Sequence, residues 1–63
     1  MADATDWQAM DDYYWDGPGG WRICRVRVDH RWQYELWSGN GTRYGMEATF
    51  AAALVLYDRV MAG

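Results

Sequence analysis

Apolar and polar side chains alternate along residues 22–37, as they do in strands that bury one face. A connection of three residues, 29–31, would pair two such strands with one wholly apolar face. The pairs on that face are Val28/Trp32, Val26/Tyr34 and Cys24/Leu36. The pairs on the opposite face are Arg27/Gln33, Arg25/Glu35 and Ile23/Trp37, with an ion pair between Arg25 and Glu35. The pattern therefore predicts a β-hairpin.

A second turn follows in residues 38–42, which read SGNGT and contain the residue types that tolerate positive φ. Pairing Ser38 with Thr42 brings Tyr44 opposite Leu36 and Met46 opposite Tyr34. A third strand therefore extends the apolar face, and residues 21–46 are predicted to form an antiparallel β-meander.

The clearest helical pattern is at the C-terminal end, over residues 49–62. Thr49 is a candidate N-cap. An apolar stripe at helical spacing is formed by Phe50, Ala53, Leu54, Tyr57, Val60 and Met61. The stripe predicts an amphipathic helix packed on one face of the sheet. Val55 and Leu56 lie outside it, which implies a second contact with the N-terminal segment or with another copy of the chain, so a monomer or a weak homodimer is expected.

Residues 1–16 are predicted to form a short N-terminal helix. Thr5 can cap the amide of Gln8, and Trp7, Met10 and Tyr14 share one face at spacings of three and four. The predicted fold is thus a single small α+β domain. It has a short N-terminal helix, a three-stranded antiparallel meander and a C-terminal amphipathic helix packed on one sheet face.

The composition narrows the possible chemistry. The 63 residues include five Trp, five Tyr and one Phe, so the core is expected to be built from rings. One Cys and one His provide neither an internal disulfide nor the four ligands of a closed zinc site. No apolar run approaches a membrane span, and the acidic start lacks the basic region of a secretion signal. We expect a cytoplasmic protein with no metal and no cofactor.

No residue pattern predicts catalysis. His30 and Asp29 are neighbours in the predicted hairpin turn, where adjacent side chains do not point at one another. Cys24 lies between Arg22 and Arg25, but in the predicted register its thiol points into the core. We therefore expect a protein that is not an enzyme.

Charge is distributed unevenly along the chain. Residues 1–20 carry five Asp and no basic residue, whereas residues 21–43 carry five Arg against Asp29 and Glu35. Carboxylates held along an aromatic-rich helix would approximate the charge density of a nucleic-acid backbone. Such a surface could occupy a basic groove on a protein partner. The acids of this N-terminal segment are Asp3, Asp6, Asp11, Asp12 and Asp16.

The alternative is direct binding of nucleic acid by the outer face of the sheet, where arginines and aromatic rings are interleaved. The predicted residues are Trp21, Arg25, Arg27, Trp37 and Arg43. In layout, a three-stranded sheet backed by one helix resembles the arm-type DNA-binding domain of phage integrases. The net charge of −3 favours the acidic surface instead.

In size, acidity, Arg-only basic content and the DDYYWD cluster of residues 11–16, the chain resembles the small anti-CRISPR proteins encoded by phages and prophages. The resemblance implies a non-enzymatic, DNA-mimicking inhibitor. Its partner-binding acids would block the DNA-binding groove of a type I CRISPR effector complex (Cascade) in the host bacterial cytoplasm. The acids that the resemblance implies for this role are Asp3, Asp6, Asp11, Asp12, Asp16, Asp29, Glu35 and Glu47. The Arg-rich strand departs from a uniformly acidic mimic.

Overall fold

The computed structural model describes residues 4–63, which form a five-stranded antiparallel sheet with one helix packed on one face. The strands are adjacent in chain order: β1 (Gln8–Ala9), β2 (Tyr14–Asp16), β3 (Arg22–Val28), β4 (Arg31–Trp37) and β5 (Arg43–Glu47). Helix α1 spans Phe50–Ala62. The predicted fold class is therefore wrong: within residues 4–63 there are five strands where three were expected, and no N-terminal α-helix.

The N-terminal segment forms a short 3₁₀ turn, Ala4–Asp6, and then the β1–β2 hairpin. Tyr and Trp favour strands, and strand pairing brings Trp15 opposite Ile23. The Asp11 carboxylate closes the hairpin because it accepts hydrogen bonds from the N–H groups of Tyr13 and Tyr14, at 2.6 and 3.2 Å. Local turn chemistry and ring burial together favour the hairpin over the helix.

The predicted register between β3 and β4 is wrong by one residue. Val28 lies opposite Arg31, and the connection is the two residues Asp29 and His30, both with positive φ (50° and 66°). The remaining pairs are Arg22/Trp37, Ile23/Leu36, Cys24/Glu35, Arg25/Tyr34, Val26/Gln33 and Arg27/Trp32. Arg25 and Glu35 consequently do not form the predicted ion pair; Glu35 instead bonds Arg43.

Burial explains why this register is adopted. Ile23 and Leu36 become direct partners beneath the helix, and both are 0 % exposed. In β4 the predicted inward set of Trp32, Tyr34 and Leu36 shares a face with Ile23. In β3 the residues predicted to face inward, Cys24, Val26 and Val28, lie on the opposite, outer face. A shift of one residue in the register turns the side chains of β3 to the other face of the sheet relative to those of β4.

The β4–β5 turn has the predicted closure, in which the Ser38 N–H donates to the Thr42 carbonyl at 2.9 Å. An irregularity between Leu36 and Trp37 then shifts the pairing. Gly45, rather than Tyr44, lies opposite Leu36, and Met46 lies opposite Glu35 on the outer face.

Helix α1 confirms the C-terminal prediction, including its cap: the Thr49 hydroxyl accepts from the Ala52 N–H at 3.0 Å. Residues of the predicted stripe pack against the core. Leu56 does so as well, whereas Val55 is 50 % exposed and Met61, a predicted stripe residue, is 57 % exposed. The second contact expected of Leu56 is therefore the sheet itself.

Aromatic rings form much of the interface between sheet and helix. Trp7 and Tyr57 meet edge to face at 5.2 Å, and Trp15 lies 4.7 Å from Phe50. Trp21 is a second neighbour of Tyr57, at 5.3 Å. The residues that the structure describes include no helix with the length and apolar content needed to cross a membrane.

Gly45 allows the helix to approach the sheet closely. A Cβ atom at this position would lie 2.7 Å from Leu56 Cδ2. We expect Gly45→Ala to lower the free energy of unfolding by about 1 kcal/mol, because the flexible end of Leu56 can rotate away at a modest packing cost. In a Leu56→Ala background the same substitution should have almost no further effect, as chemical denaturation would show. Equal costs in both backgrounds would contradict this contact.

Candidate functional site

Part of the β3–β4 hairpin extends beyond the rest of the sheet. Strand β2 pairs only with Arg22–Cys24, and β5 pairs only with residues 34–37 of β4. Residues 26–33 therefore have no flanking strand within the part of the chain that the structure describes. We call this two-stranded extension, residues 26–33, the ribbon. It projects by about 10 Å, at 3.3 Å per strand residue.

Arginine and tryptophan side chains cluster on one face of the ribbon and at its base. The Arg25 guanidinium lies over the Trp32 ring at 4.3 Å, and that of Arg27 lies over it at 5.3 Å. The register between β3 and β4 places Arg25, Arg27 and Trp32 on the side of the sheet that faces the helix. Trp32 is 41 % exposed and Arg27 is exposed, whereas Arg25 is half-buried and its Nε is buried without a hydrogen-bond partner in residues 4–63. Stacking on the ring holds both guanidinium groups in an ordered arrangement.

The arginines of the ribbon, Arg27 and Arg31, and Arg25 at its base lack acidic partners in residues 4–63. The ion pairs among residues 4–63 are Asp16–Arg22 and Glu35–Arg43. No carboxylate in this region lies within 4.0 Å of Arg25, Arg27 or Arg31. With Asp29 as the one acid between residues 25 and 33, this part of the chain keeps an uncompensated positive charge. It can attract an anionic surface.

The tip of the ribbon is strained. Asp29 and His30 both have positive φ, as a two-residue type I′ turn requires. Glycine adopts this conformation freely, whereas a residue with a Cβ atom adopts it at a cost. Such strain is concentrated at functional sites, where the surrounding structure maintains it. The exposed tip with this conformation therefore belongs with the arginine cluster as a candidate site.

Relieving the strain at His30 should stabilise the fold. We expect His30→Gly to raise the free energy of unfolding by about 0.5–1 kcal/mol, because glycine adopts positive φ without steric cost. His30→Ala is the matched control, since it removes the imidazole and keeps the strain. The melting temperatures of the two variants should differ by about 4–8 °C for each 1 kcal/mol of difference in their free energies of unfolding. A melting temperature of His30→Gly at or below that of His30→Ala would contradict the strained turn.

Two predicted partner-binding acids are paired with arginines on the outer face. Asp16 Oδ1 accepts from Arg22 Nε at 2.9 Å, and this hydrogen bond raises the pKa of Arg22. Glu35 Oε2 accepts from Arg43 Nη1 at 2.9 Å, and its side chain is only 15 % exposed. Part of the charge of both carboxylates is therefore offset locally.

The other predicted acids are distributed over several elements. Asp6 lies in the 3₁₀ turn, while Asp11 and Asp12 occupy the exposed β1–β2 turn. Asp29 is at the ribbon tip, and Glu47 is half-buried opposite Tyr34; Asp3 lies outside the described residues. The array of carboxylates along an N-terminal helix is therefore absent, because the helix itself does not form in residues 4–63.

The predicted nucleic-acid-binding residues do not share one face. Arg25 and Arg27 are on the helix-facing side, whereas Trp37 and Arg43 pair on the outer face. Trp21 packs against Tyr57 and, at 5.2 Å, against Tyr44. The structure instead brings Arg25 and Arg27 together with Trp32, and it places Arg31 on the same ribbon. Neither Trp32 nor Arg31 was among the predicted nucleic-acid-binding residues. The number of residues in the turn was the signal that could have placed Trp32 on the same face as Arg25 and Arg27.

Cys24 lies on the outer face and not in the core, a correction that follows from the register. It lines a pocket of about 300 Å³ together with Arg22, Trp37 and residues of the two glycine-containing loops. Burial raises the pKa of the Cys24 thiol, against a smaller opposing effect of Arg22. The thiol is therefore mostly protonated near neutral pH and a weak nucleophile.

Metal binding finds no support in residues 4–63, where no three His, Cys, Asp or Glu side chains are grouped to hold an ion. His30 stands at the exposed ribbon tip beside Asp29. Comparison of the chain with models of protein families, with curated proteins and with solved structures finds no match.

Proposed function

We propose that this protein is a non-enzymatic binding module that contacts nucleic acid through the ribbon. The observation that carries the proposal is the set of three arginines, Arg25, Arg27 and Arg31, without carboxylate partners in residues 4–63. Guanidinium groups bind phosphate through charge-assisted, bidentate hydrogen bonds. Stacking on Trp32 limits the rotamers of two of them, so less conformational entropy is lost on binding.

The acidic residues restrict this contact to the ribbon. The Tyr13 carbonyl accepts from the Arg25 N–H at 2.6 Å, which places the β1–β2 turn with Asp11 and Asp12 beside the ribbon base. These carboxylates repel phosphates approaching the base. Contact with few phosphates gives modest affinity, with dissociation constants of about 10⁻⁴–10⁻⁶ M at physiological salt.

The test is a fluorescence-anisotropy titration of a labelled DNA duplex at several salt concentrations. If three phosphates are neutralised, the logarithm of the affinity should fall with that of the salt concentration at a slope of about −2.7. The loss is then about 40-fold between about 50 and about 200 mM salt. Absence of binding to this duplex, to its single strand and to an RNA duplex at the lowest salt, or binding that salt does not weaken, would refute the proposal.

A second candidate is the inhibitor of a type I CRISPR effector, acting in the bacterial cytoplasm, that the resemblance to anti-CRISPR proteins implies. The observation that favours it is the β1–β2 turn, where Asp11 and Asp12 adjoin Tyr13, which is 61 % exposed. Tyrosine is enriched at protein interfaces, and carboxylates beside it attract a basic partner. This function requires a basic protein partner and no direct contact with nucleic acid.

The acidic candidate is tested with Asp11→Asn and Asp12→Asn combined. Asparagine at position 11 can still accept the hydrogen bonds that close the turn, so the fold should be retained while two charges are lost. Asp58→Asn, on the helix, serves as a control. The double variant should stop preventing the effector from binding its DNA target. Undiminished inhibition would exclude the acidic turn as the binding surface.

A further inference from the structure

We infer that the ligand of the ribbon is the major groove of B-form duplex DNA, entered by the ribbon tip first; this inference rests on the proposed function. The starting point is the distribution of charge over the two faces. Arg25 and Arg27 share the helix-facing side with Trp32, whereas Arg31 pairs with Val28 on the opposite side. Guanidinium groups on both faces match an anion that lies on both sides of the ribbon.

A duplex groove has phosphates along both of its walls, whereas a single strand has one backbone. A tip inserted between the walls would bring Arg27 toward one backbone and Arg31 toward the other. No contact of the ribbon with other strands of residues 4–63 prevents this approach, because β2 and β5 pair outside residues 26–33. The arrangement therefore favours a duplex over a single strand.

The dimensions favour the major groove. That groove is about 12 Å wide and about 8.5 Å deep in B-DNA, and it admits a two-stranded ribbon. The free length of the ribbon, about 10 Å at 3.3 Å per residue, matches this depth. The minor groove, about 6 Å wide, is too narrow for strands with side chains on both faces. The major groove of A-form RNA is deep and narrow and would exclude the ribbon.

The Trp32 ring supports the same conclusion. Proteins that bind single strands stack bases on exposed aromatic rings. Here two guanidinium groups already lie over the ring, at 4.3 and 5.3 Å, so a base would have to displace them. The ring is better suited to holding the arginines in position for phosphate contact.

The ribbon tip carries one acid, Asp29, whose carboxylate would be repelled by phosphates. In the major groove of a duplex this carboxylate can meet hydrogen-bond donors instead. Asp29 occupies the turn at the far end of the ribbon, beyond the last pair, Val28/Arg31. Insertion would bring its carboxylate to the groove floor, where cytosine and adenine present amino groups that donate to carboxylates. A single strand or a flat phosphate surface would instead meet this acid with negative charge.

The experiment compares three labelled probes of one sequence at low salt: a DNA duplex, the corresponding single strand and an RNA duplex. We expect the DNA duplex to bind at least tenfold more tightly than the other two. Methyl green, which occupies the major groove, should displace the protein, and netropsin, which occupies the minor groove, should not.

The outcomes separate this inference from the proposed function. Equal or tighter binding of the single strand or the RNA duplex, or displacement by netropsin alone, would overturn the inference and leave nucleic-acid binding established. Failure to bind any of the three probes would overturn the proposed function, and the inference with it.

Discussion

Replacing Arg27 and Arg31 together by glutamine should lower the affinity for duplex DNA on the order of 100-fold at low salt. Hydrogen bonds to charged groups contribute about 1.5 kcal/mol each, and the variant removes one on each face of the ribbon. Both side chains are exposed and without ion-pair partners in residues 4–63, so the free energy of unfolding should fall only by the loss of the Arg27–Trp32 stacking, about 0.5–1 kcal/mol. The salt slope should also fall, from about −2.7 to about −0.9.

The matched control is Arg59→Gln. Arg59 is an exposed arginine on helix α1, away from the ribbon, and its replacement removes the same charge per residue. If affinity depends only on net charge, Arg59→Gln should weaken binding as much as either single ribbon variant. We expect it to weaken binding less than twofold. Equal losses would show that the ribbon is not the site.

The largest effect on stability is expected for Gly17→Ala. A Cβ atom at Gly17 would lie 2.5 Å from two ring carbons of Trp7 and 2.6 Å from a third. The ring is only 5 % exposed and packs against Tyr57, so it cannot move aside without disturbing the core. Overpacking of this kind costs about 3 kcal/mol. The total stability of a 63-residue domain is about 3–9 kcal/mol, so a large fraction would be lost.

Gly41→Ala provides the comparison, since Gly41 has a φ of +88° and no atom within 4 Å of a Cβ. Its cost is backbone strain alone, about 1 kcal/mol. In a Trp7→Phe background the penalty of Gly17→Ala should shrink, because the smaller ring leaves room for the methyl group. Urea denaturation of the unsubstituted protein, the three single variants and the Trp7→Phe/Gly17→Ala double variant measures the free energies of unfolding. A penalty independent of residue 7 would contradict the proposed packing of Trp7 on Gly17.

The C-terminal helix could be predicted because its signals are local and agree. Thr49 caps the first turn, and the apolar stripe has the spacing of one helical face. The β4–β5 turn could be predicted for the same reason, from the glycines and asparagine that its backbone requires. Neither feature depends on distant parts of the chain.

The N-terminal hairpin could not be predicted in this way. Trp7, Met10 and Tyr14 have helical spacing, but Trp15 gains more by pairing opposite Ile23 in the sheet. Tertiary pairing thus overrides a weak local preference. Asp11 was a clear local signal, because aspartate commonly closes turns through its own backbone neighbours.

Two residues of the proposed site were candidates from the sequence. Arg25 and Arg27 were identified as candidates, yet their predicted face was wrong because the turn has two residues and not three. With a turn of three residues, Val26 and Cys24 would face the core. With the observed turn of two residues, Ile23 faces the core instead, and Arg25 and Arg27 lie on the same face as Trp32. A single residue in a turn therefore decides which surface carries the positive charge.

The most direct test of the central claim is a titration of the ¹⁵N-labelled protein with unlabelled duplex DNA, followed by amide chemical shifts. If the ribbon binds nucleic acid, the largest shifts should fall within residues 26–33 and at the Trp32 indole N–H. The outer-face amides of Arg22 and Trp37 should change little. Largest shifts at that outer face or at the β1–β2 turn, or no shifts at all, would contradict it.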